Sequence, residues 1–587
     1  MRELNLIVAG QAGQGLQVIS RTLGRLLVRA GRYVFVSQDV MSRIRGGHNF
    51  ARVRVSDVPV AADGDKAQIL VALDHTLVER HVPDLAEDAV VLTEAVGDLP
   101  EGLNVVRLPL ADLALEHGKD PVMINSVATG AALALVGLEP AGLDGVFESQ
   151  FGHKGKEVVE RNVAAAKAGY NAVLDDHKRC CPHRLQASRD MTVSAEETDR
   201  VPRERLLISG AEALALGAIA ANVRVVTGYP MSPATPIVEY CFRNAEEAGL
   251  IVEQTEDEVS AANLAIGAAF AGERAMVCTA GGGFCLMNEA LSLAGMTEVP
   301  LVMCVGMRPG PATGLATRTA QADLLFAINA GHGEFPRAVL TPADAEQAFR
   351  AAQDAFRIAE KYQTPVIILF DQVMADALWT IERSDLKLDN RQGRQERQVA
   401  DGSEPYTYRH YQVTENGVSP VVLPGTEQQL VYADSDEHTE EGHITEDAAM
   451  RVLMVNKRNS KIEGIRQEVE ERKVKVEAEA ETLVFCFGSS RGVVAEALGR
   501  LRAKGVSVAM VYLDHVWPFP AEAVASMVSK DRKVVTVEEN YSGQLAQLLS
   551  QECGVQTAGT VRRYDGRQFT VAEVEAGLES MIAEEAS

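Results

Sequence analysis

The sequence has few cysteines, and they are not grouped as metal-binding cysteines usually are. Its 587 residues include eight, no Cys-x-x-Cys pair occurs, and the only close pair, Cys180 and Cys181, is adjacent. Iron–sulfur clusters and structural zinc sites need several thiolates at fixed spacing. We therefore expect the chain to hold neither an iron–sulfur cluster nor another metal ion of its own.

The chain also lacks an excess of positive charge and any long apolar run. Lysine and arginine number 57 against 82 aspartates and glutamates, a net charge of −25, which argues against nucleic acid and anionic membranes as partners. No apolar run approaches the ~18 residues of a membrane-spanning helix, and no charged-then-apolar leader opens the sequence. The expectation is a cytoplasmic protein with no nucleic-acid or membrane partner.

Strand-like and helix-like segments alternate along the chain, which is typical of α/β folds with parallel sheets. With 46% apolar residues the sequence can form substantial cores, and at roughly 150 residues per domain it has room for about four domains. We expect an α/β domain over 1–175, a polar linker over 176–204, a second α/β domain over 205–388, an irregular and helical connector over 389–480, and a third α/β domain over 481–587.

A glycine-rich turn follows the first strand-like segment. Gly10, Gly13 and Gly15 lie between a buried strand over 3–9 and an amphipathic helix over 16–29. Strand, glycine turn and helix together point backbone N–H groups at a phosphate. The spacing is GxxGxG, however, and not the GxGxxG of dinucleotide sites, and tight packing of strand on helix would explain the glycines equally well.

Two other polar segments have the side chains of an ion site, but each has a simpler explanation. Arg43-Ile-Arg45-Gly-Gly-His48 places two guanidinium groups beside a glycine turn, as in an anion site, although exposed arginines usually only solvate a surface. Residues 436–443 bring Asp, Glu and His together as in metal sites. No helical spacing aligns His438 with His443, so a solvated acidic turn is the favoured interpretation.

The middle of the chain contains a stiff loop, Val226-Thr-Gly-Tyr-Pro-Met-Ser-Pro-Ala-Thr-Pro236, directly after a β-rich segment. One glycine and three prolines exclude helix there, because proline fixes φ and disfavours helix in the residue before it. In open α/β sheets, ligands bind at the carboxyl ends of strands. The loop carries the hydroxyl groups of Ser232 and Thr235. Taken alone, an ordinary proline-rich turn would explain it.

Two further segments of the second domain carry charged groups in places suited to ligand binding. Glu256 and Glu258 begin a helix of mostly small and apolar residues, where a carboxylate suits the helix dipole and one buried carboxylate could hydrogen-bond a ring nitrogen. Arg308-Pro-Gly-Pro-Ala-Thr-Gly-Leu-Ala-Thr317-Arg318 follows a buried strand. A guanidinium group there can hold a carboxylate in a bidentate contact, and phosphate would satisfy the same features.

Together these blocks resemble the 2-oxoacid:ferredoxin oxidoreductases. Tyr229-Pro-Met-Ser-Pro233 is similar to the Tyr-Pro-Ile-Thr-Pro motif of the family's alpha subunit, and Arg308–Arg318 and His332-Gly-Glu-Phe-Pro-Arg337 resemble further blocks of it. The resemblance covers about 205–585, and 1–175 resembles the family's gamma unit fused ahead of alpha. This fusion and the amino-acid sequence of the proline-rich loop are most similar to those of the 2-oxoglutarate enzymes.

The resemblance implies a multidomain α/β fold and thiamine diphosphate catalysis. The three α/β domains would be a gamma-type domain, a domain that binds the pyrimidine of thiamine diphosphate, and a domain like the C-terminal domain of transketolase. The implied reaction interconverts 2-oxoglutarate plus coenzyme A with succinyl-CoA plus carbon dioxide, and single electrons pass to or from ferredoxin. This serves the TCA cycle in one direction and reductive carboxylation in the other.

The resemblance also assigns roles to individual residues. Glu258 would hydrogen-bond the aminopyrimidine ring of the cofactor. Ser232, which stands where the family usually has Thr, and Arg308 would hold the C1 carboxylate and the 2-oxo group of the substrate. Thr317 would face the substrate, and Arg318 or another cation would meet the distal carboxylate. The remaining implied contacts are Tyr229 and Pro230 for thiamine diphosphate, and Gly10, Gly13, Gly15 and Arg45 for coenzyme A.

The sequence lacks the Gly-Asp-Gly segment that normally holds Mg²⁺ and the diphosphate in this cofactor class. By the resemblance, a separate beta subunit carries Mg²⁺, the diphosphate site and a 4Fe–4S cluster, with thiamine diphosphate at the interface. This chain would then be inactive alone, and two alpha–beta heterodimers would pair into one assembly.

Three alternatives remain open at this point. A pyruvate or branched-chain 2-oxoacid:ferredoxin oxidoreductase differs only in the shape of the substrate pocket. A non-catalytic subunit that binds a nucleotide or coenzyme A would account for Gly10–Gly15 and the acidic charge. A transketolase-like enzyme without redox chemistry would need no cysteine-rich partner.

Overall fold

The computed structural model describes residues 3–41, 46–94, 96–180, 205–388, 408–425, 430–472, 474, 476, 479–528 and 532–583. The chain divides into two compact units: Met1–Ile208 with Ala377–Asp385, and Ser209–Asp376 with Leu386–Ser587. Most of the expected linker, and residues 389–407 of the expected connector, lie outside the described residues.

The secondary structure alternates between strands and helices, as the sequence predicts. The strands are β1 (Glu3–Ala12), β2 (Tyr33–Asp39), β3 (Gly46–Ser56), β4 (Ala67–Ala72), β5 (Leu85–Glu94), β6 (Asn104–Leu108), β7 (Arg205–Ser209), β8 (Val225–Gly228), β9 (Ile251–Gln254), β10 (Ala275–Ala280), β11 (Val302–Met307), β12 (Ala338–Leu340), β13 (Val366–Asp371), β14 (Leu378–Glu382), β15 (Thr482–Phe487), β16 (Val508–Leu513), β17 (His515–Trp517), β18 (Lys533–Glu538) and β19 (Gly559–Arg562). The α-helices are α1 (Leu16–Arg29), α2 (Val78–His81), α3 (Leu110–Gly118), α4 (Ile124–Val136), α5 (Leu143–Phe151), α6 (Lys156–Cys180), α7 (Gly210–Ala220), α8 (Thr235–Arg243), α9 (Ala245–Ala248), α10 (Glu258–Phe270), α11 (Gly281–Leu286), α12 (Asn288–Met296), α13 (Leu324–Asn329), α14 (Ala345–Tyr362), α15 (Gln372–Asp376), α16 (Ala448–Glu471), α17 (Ser490–Ala503), α18 (Ala521–Met527), α19 (Gln544–Cys553) and α20 (Val571–Ala583). Short 3₁₀ turns cover His75–Leu77, Val82–Asp84, Pro121–Met123, Gly152–Lys154 and Arg383–Asp385.

The first unit is built on an eight-stranded mixed sheet, in the order β6-β5-β4-β1-β3-β2-β14-β7. Apolar residues of the sheet, α1, α4 and α6 form one core. Two glycines allow the backbones of α4 and α6 to approach closely. A Cβ atom on Gly130 would lie 1.7 Å from the Ala166 carbonyl oxygen, and one on Gly169 would lie 2.0 Å from that of Val127, so no larger residue fits this crossing.

Strands from two distant parts of the chain complete the first sheet. β14 pairs antiparallel with β2, with Leu378 opposite Val36 and Trp379 opposite Phe35. The rings of Phe35 and Trp379 lie 5.7 Å apart in an edge-to-face contact. The sequence interpretation placed both β7 and β14 in a second domain over 205–388, whereas both strands belong to this sheet. Pairing between strands so far apart in sequence leaves no local signal.

The second unit contains two sheets. Strands β12, β13, β11, β10, β8 and β9 form the parallel sheet that the sequence predicts, and β17 is added antiparallel to β12 at one edge. The second sheet has the order β16-β15-β18-β19, with parallel pairs throughout. Helices cover both sheets, and their apolar residues form a common core. Because parallel strands all end at one edge, the loops that follow β8, β10 and β11 lie side by side.

A buried ion cluster anchors α16 in the second unit. The Lys457 ammonium group donates to both carboxylate oxygens of Glu298, at 2.8 and 2.7 Å, and Lys461 contacts the same carboxylate. Burial opposes the charged carboxylate, but the two ammonium groups outweigh it and lower the pKa of Glu298 to about 2. The cluster joins α16 to the turn before β11.

The acidic turn with two histidines does not form a metal site in the parts of the chain that the structure describes. The His438 ring packs against Tyr411, with centroids 3.8 Å apart, and His443 packs against Tyr432. Across the described ranges, no group of three or more His, Cys, Asp or Glu side chains could hold a metal ion. Nor does any helix within those ranges have the length and apolar character needed to cross a membrane.

Candidate active site

The candidate site lies at the carboxyl edge of the parallel sheet in the second unit. Strands β8, β10 and β11 are neighbours and end at Gly228, Ala280 and Met307. They continue into the proline-rich loop with Ser232, the three glycines over 281–283 that form the first turn of α11 (the glycine turn), and the loop that begins at Arg308. This is the edge at which open α/β sheets bind ligands.

The structure brings the first two predicted site residues together. The Arg308 Nη1 atom donates a hydrogen bond of 2.9 Å to the main-chain oxygen of Ser232. Pro233 follows a cis peptide bond and packs onto Gly306, where a Cβ atom would lie 2.6 Å from the proline ring. The guanidinium group is half-buried, and burial lowers its pKa, against the opposing effect of Asp323. A cation held in this way can bind a carboxylate.

Of the two glutamates at the start of α10, only Glu258 is buried. Glu256 is exposed, whereas Glu258 is 4% exposed. Asp257 caps the helix by accepting a hydrogen bond from the Ser260 amide at 2.7 Å. A Cβ atom on Gly283 would lie 2.8 Å from the Glu258 Oε1 atom, so the glycine leaves room for the carboxylate. Within the described residues, that carboxylate has no hydrogen-bond or ion-pair partner.

The later part of the Arg308 loop turns towards the C-terminal sheet. Thr317 and Arg318 are half-buried. Gly566 packs against Arg318, because a Cβ atom on it would lie 3.1 Å from the Arg318 Cβ. The Thr319 hydroxyl donates to the carboxyl group of the buried Glu539 at 3.1 Å. The aliphatic part of Arg318 therefore packs against the segment around Gly566. Arg308, at the other end of the loop, contacts Ser232. Tyr229 and Pro230 are exposed on the proline-rich loop.

Asp323 also lies at the candidate site, and the sequence analysis did not single it out. Its carboxyl lies beside Gly281, where an added Cβ atom would be 2.4 Å from the Oδ2 atom. Burial raises the pKa of Asp323 to about 6, although the positive charge of Arg308 acts in the opposite direction. The only signal in the sequence is an aspartate just before the apolar run Leu324-Leu-Phe326, which a simple helix start also explains.

The glycine-rich turn of the first unit lines a cavity of about 380 Å³, together with Gln38, Asn49 and Phe50. Gly13 and Gly15 both have positive φ. A Cβ atom on Gly15 would lie 2.4 Å from the Asn125 amide nitrogen, and one on Gly10 would lie 2.7 Å from the Gln14 side-chain oxygen. Close packing therefore explains Gly10 and Gly15, while Gly13 faces open space. The predicted contact Arg45 lies outside the described residues.

Comparison with known proteins places the whole chain in one family. The family model described as pyruvate flavodoxin/ferredoxin oxidoreductase, thiamine diP-bdg, matches 216–457. The pyruvate ferredoxin/flavodoxin oxidoreductase model matches 5–172, and the pyruvate:ferredoxin oxidoreductase core domain II model matches 480–574. The multidomain α/β fold that the sequence predicts is thereby confirmed.

Individual relatives match from end to end. The alpha subunit of a 2-oxoacid:ferredoxin oxidoreductase from Sulfolobus sp is 31% identical over 99% of this chain and 97% of its own. The 2-oxoglutarate oxidoreductase subunit KorA of Mycobacterium tuberculosis is 28% identical over 98% of this chain and 91% of its own. The 2-oxoglutarate:ferredoxin oxidoreductase of Magnetococcus marinus, solved with 2-oxoglutarate, coenzyme A and succinyl-CoA bound, has a TM-score of 0.86 at 29% identity and covers 99% of this chain and 100% of that one. The resemblance to the 2-oxoacid:ferredoxin oxidoreductases is confirmed, and the chain belongs to this family, several of whose alpha subunits it matches along its full length.

Proposed function

We propose that this chain is the alpha subunit, with a fused gamma unit, of an enzyme that interconverts 2-oxoglutarate plus coenzyme A with succinyl-CoA plus carbon dioxide. Single electrons pass to or from ferredoxin. The observation that carries the proposal is the carboxyl edge of the parallel sheet, where Arg308 contacts the Ser232 loop and the buried Glu258 carboxylate lies across the glycine turn. The bound 2-oxoglutarate in the Magnetococcus marinus enzyme supports the choice of substrate.

The site fits thiamine diphosphate as its cofactor. When bound, this cofactor supplies the carbanion chemistry that breaks the bond to the carboxylate carbon. Buried polar groups normally have hydrogen-bond partners, and the Glu258 carboxylate has none among the described side chains and amides. In our proposal it accepts or shares a proton with the aminopyrimidine ring, and Tyr229 and Pro230 contact the cofactor from the proline-rich loop.

The substrate would be held by the same edge of the sheet. The Arg308 guanidinium group binds the C1 carboxylate, and the Ser232 hydroxyl contacts the 2-oxo end. Arg308 already donates to the Ser232 main chain, so this hydrogen bond holds the loop and the guanidinium group in a fixed relative position. Thr317 faces the substrate, and Arg318 is proposed for the distal carboxylate of 2-oxoglutarate. A pyruvate or branched-chain 2-oxoacid would need no such second cation.

A beta subunit is expected to complete the site. The sequence lacks the Gly-Asp-Gly segment for Mg²⁺ and the diphosphate, and α8, α10 and α11 each expose a large apolar side chain. Phe242, Leu286 and Val259 are 69%, 57% and 44% exposed. Large apolar side chains at a protein surface are typical of interfaces between subunits. We propose that beta covers this surface and brings the 4Fe–4S cluster, and that two such heterodimers associate in the cytoplasm.

In the first unit, we propose that the cavity beside Gly13 takes part in binding coenzyme A. Its volume of about 380 Å³ falls within the range of small-molecule sites. The backbone amides at the start of α1 suit a phosphate group. The contributions of Gly10, Gly15 and Arg45 to this contact stay predictions.

The test is an anaerobic assay of this chain co-expressed with its beta subunit. Coenzyme A, a one-electron dye and a panel of 2-oxoglutarate, pyruvate and 2-oxoisovalerate are supplied. Dye reduction should need both chains and be fastest with 2-oxoglutarate. A preference for another acid would keep the family and refute the substrate, and turnover by this chain alone would refute the division of the site.

The Glu258 assignment has a matched control in the same assay. Glu258→Gln should lower turnover by roughly a hundredfold or more, as loss of a proton-handling group does. Glu256→Gln removes an exposed carboxylate two residues away and should leave turnover intact. Equal activity of the two variants would remove Glu258 from the site.

A further inference from the structure

Two carboxyl groups flank the same glycine turn in the second unit. Asp323 approaches its first glycine, since a Cβ atom on Gly281 would lie 2.4 Å from the Asp323 Oδ2 atom. Glu258 approaches its third, since a Cβ atom on Gly283 would lie 2.8 Å from the Glu258 Oε1 atom. The middle glycine touches neither carboxyl group. The carboxyl groups of Asp323 and Glu258 therefore lie at opposite ends of the glycine turn.

The Asp323 carboxyl has no structural partner in the described part of the chain. No hydrogen bond or ion pair of its side chain occurs there, although the residue precedes α13 and its main-chain oxygen accepts from the Ala327 amide at 2.8 Å. Asp323 is half-buried, and its carboxyl is not held in a structural contact, so it is available to a ligand or a reaction. It does not cap its helix either, which removes the simplest structural role.

The charged surroundings of Asp323 come from two neighbouring elements. The Arg308 guanidinium group faces it from the loop after β11, and the Cys285 thiol faces it from α11. Burial is the largest effect on this acid and raises its pKa to about 6. Burial and then the charge of Asp323 raise the pKa of the Cys285 thiol. An acid in this range can exchange its proton near neutral pH, which suits acid–base catalysis.

We propose that Asp323 is a second acid–base residue of the site. It transfers protons on the Arg308 side of the glycine turn, and Glu258 does so on the other side. The inference rests on the proposed function, because it uses a substrate held by Arg308. When a nucleophile adds to the 2-oxo carbon, the π electron pair of the C=O bond moves to the oxygen, and the proton of the Asp323 carboxyl passes to that oxygen. When the acyl carbonyl re-forms, the proton returns to the Asp323 carboxylate.

The first test is Asp323→Asn in the assembled enzyme, with the pH dependence of kcat measured from pH 5 to 9. We expect kcat to fall by about a hundredfold, KM for the 2-oxoacid to change by only about two- to threefold, and the limb of the pH profile near pH 6 to disappear. Full kcat, or a lower kcat with that limb intact, would overturn the inference. An inactive wild-type assembly would instead refute the proposed function.

A pair of glycine variants tests the same position without changing the acid. Gly281→Ala places a methyl group within 2.4 Å of Oδ2 and should displace the carboxyl and remove the limb near pH 6. Gly282→Ala has room, since its nearest neighbour is the Ala312 main-chain oxygen at 3.9 Å, and should retain that limb. Identical pH profiles in the two variants would contradict the proposed position of Asp323.

Alkylation of Cys285 gives a readout that does not depend on turnover. The full chain is treated with iodoacetamide, and modification at Cys285 is followed by mass spectrometry. In Asp323→Asn the thiol loses a nearby negative charge, so its thiolate fraction and reaction rate should increase at the same pH. An unchanged rate would place the carboxyl away from the turn and overturn the proposal.

Discussion

Replacing Glu539 with glutamine should change how the stability of the second unit depends on pH. Glu539 follows β18 and is 3% exposed. Its carboxyl accepts hydrogen bonds from the Thr319 hydroxyl at 3.1 Å and the Phe569 amide at 3.3 Å. Burial, and then the nearby charge of Asp371, raise its pKa to about 8. At neutral pH this residue is mostly a neutral acid.

The magnitude follows from the difference between the folded and unfolded pKa values. The unfolded value is 4.5, against about 8 in the folded protein. Between these pH values the folded state binds more protons, so the free energy of unfolding falls as the pH rises from about 4.5 to about 8, and it is level beyond that range. At about 1.4 kcal/mol per pH unit, the loss is on the order of 5 kcal/mol.

Glutamine removes this dependence because it cannot ionise. Its carbonyl oxygen can still accept from the Phe569 amide, and its amide group can donate to the Thr319 hydroxyl. Urea unfolding of the wild type, Glu539→Gln and the control Glu246→Gln, an exposed carboxylate on α9, should be compared at pH 5, 7 and 9. The Glu539 variant should become progressively more stable than the other two as the pH rises. Three parallel stability curves would refute the raised pKa.

Three other predictions concern the site, the ion cluster and the helix crossing. Arg308→Ala should lower kcat/KM for the 2-oxoacid by roughly a hundredfold, since a charge-assisted contact is worth about 3 kcal/mol; unchanged steady-state kinetics would exclude Arg308 from the site. Glu298→Gln leaves two ammonium groups buried and should destabilise the second unit by about 3–5 kcal/mol in urea unfolding. In the wild type, the stability from Glu298 should be lost as the pH falls from about 4.5 towards 2, and an acid limb that persists in the variant would contradict this. Gly130→Ala should lower the melting temperature because of its contact with the α6 backbone, whereas Gly499→Ala, which meets no atom within 4 Å in α17, should raise stability by up to about 1 kcal/mol.

Local patterns predicted most single elements of the fold but not all of the strand pairing. The helix over 16–29 has the predicted bounds, and the strand expected over 3–9 is present and extends to Ala12, because apolar periodicity and flanking turns are local signals. β2 was not predicted, and β17 was expected with the C-terminal domain, yet it pairs with β12. Such edge strands gain their stability from distant partners, so local propensity does not reveal them.

Local sequence patterns likewise predicted some residues of the candidate site and not others. Ser232 and Arg308 each follow a predicted strand, and parallel strands bring their carboxyl ends together, so the contact between the two loops could be anticipated. Burial separates Glu258 from Glu256, although the helix dipole alone treats both alike. Asp323 reaches the glycine turn through tertiary packing, and nothing in its sequence neighbourhood indicates that.

The pairing of β14 with β2 has a consequence for the order in which the protein forms during synthesis. The Val34 amide donates to the Thr380 hydroxyl, a residue 346 positions later in the chain. Until Ala377–Asp385 has left the ribosome, the first sheet ends in an open strand edge, and such edges recruit other chains. The N-terminal sheet is therefore completed only after Ser209–Asp376, the first part of the second unit, has been translated. A gene fragment that stops at residue 208 would encode a sheet with that edge uncovered.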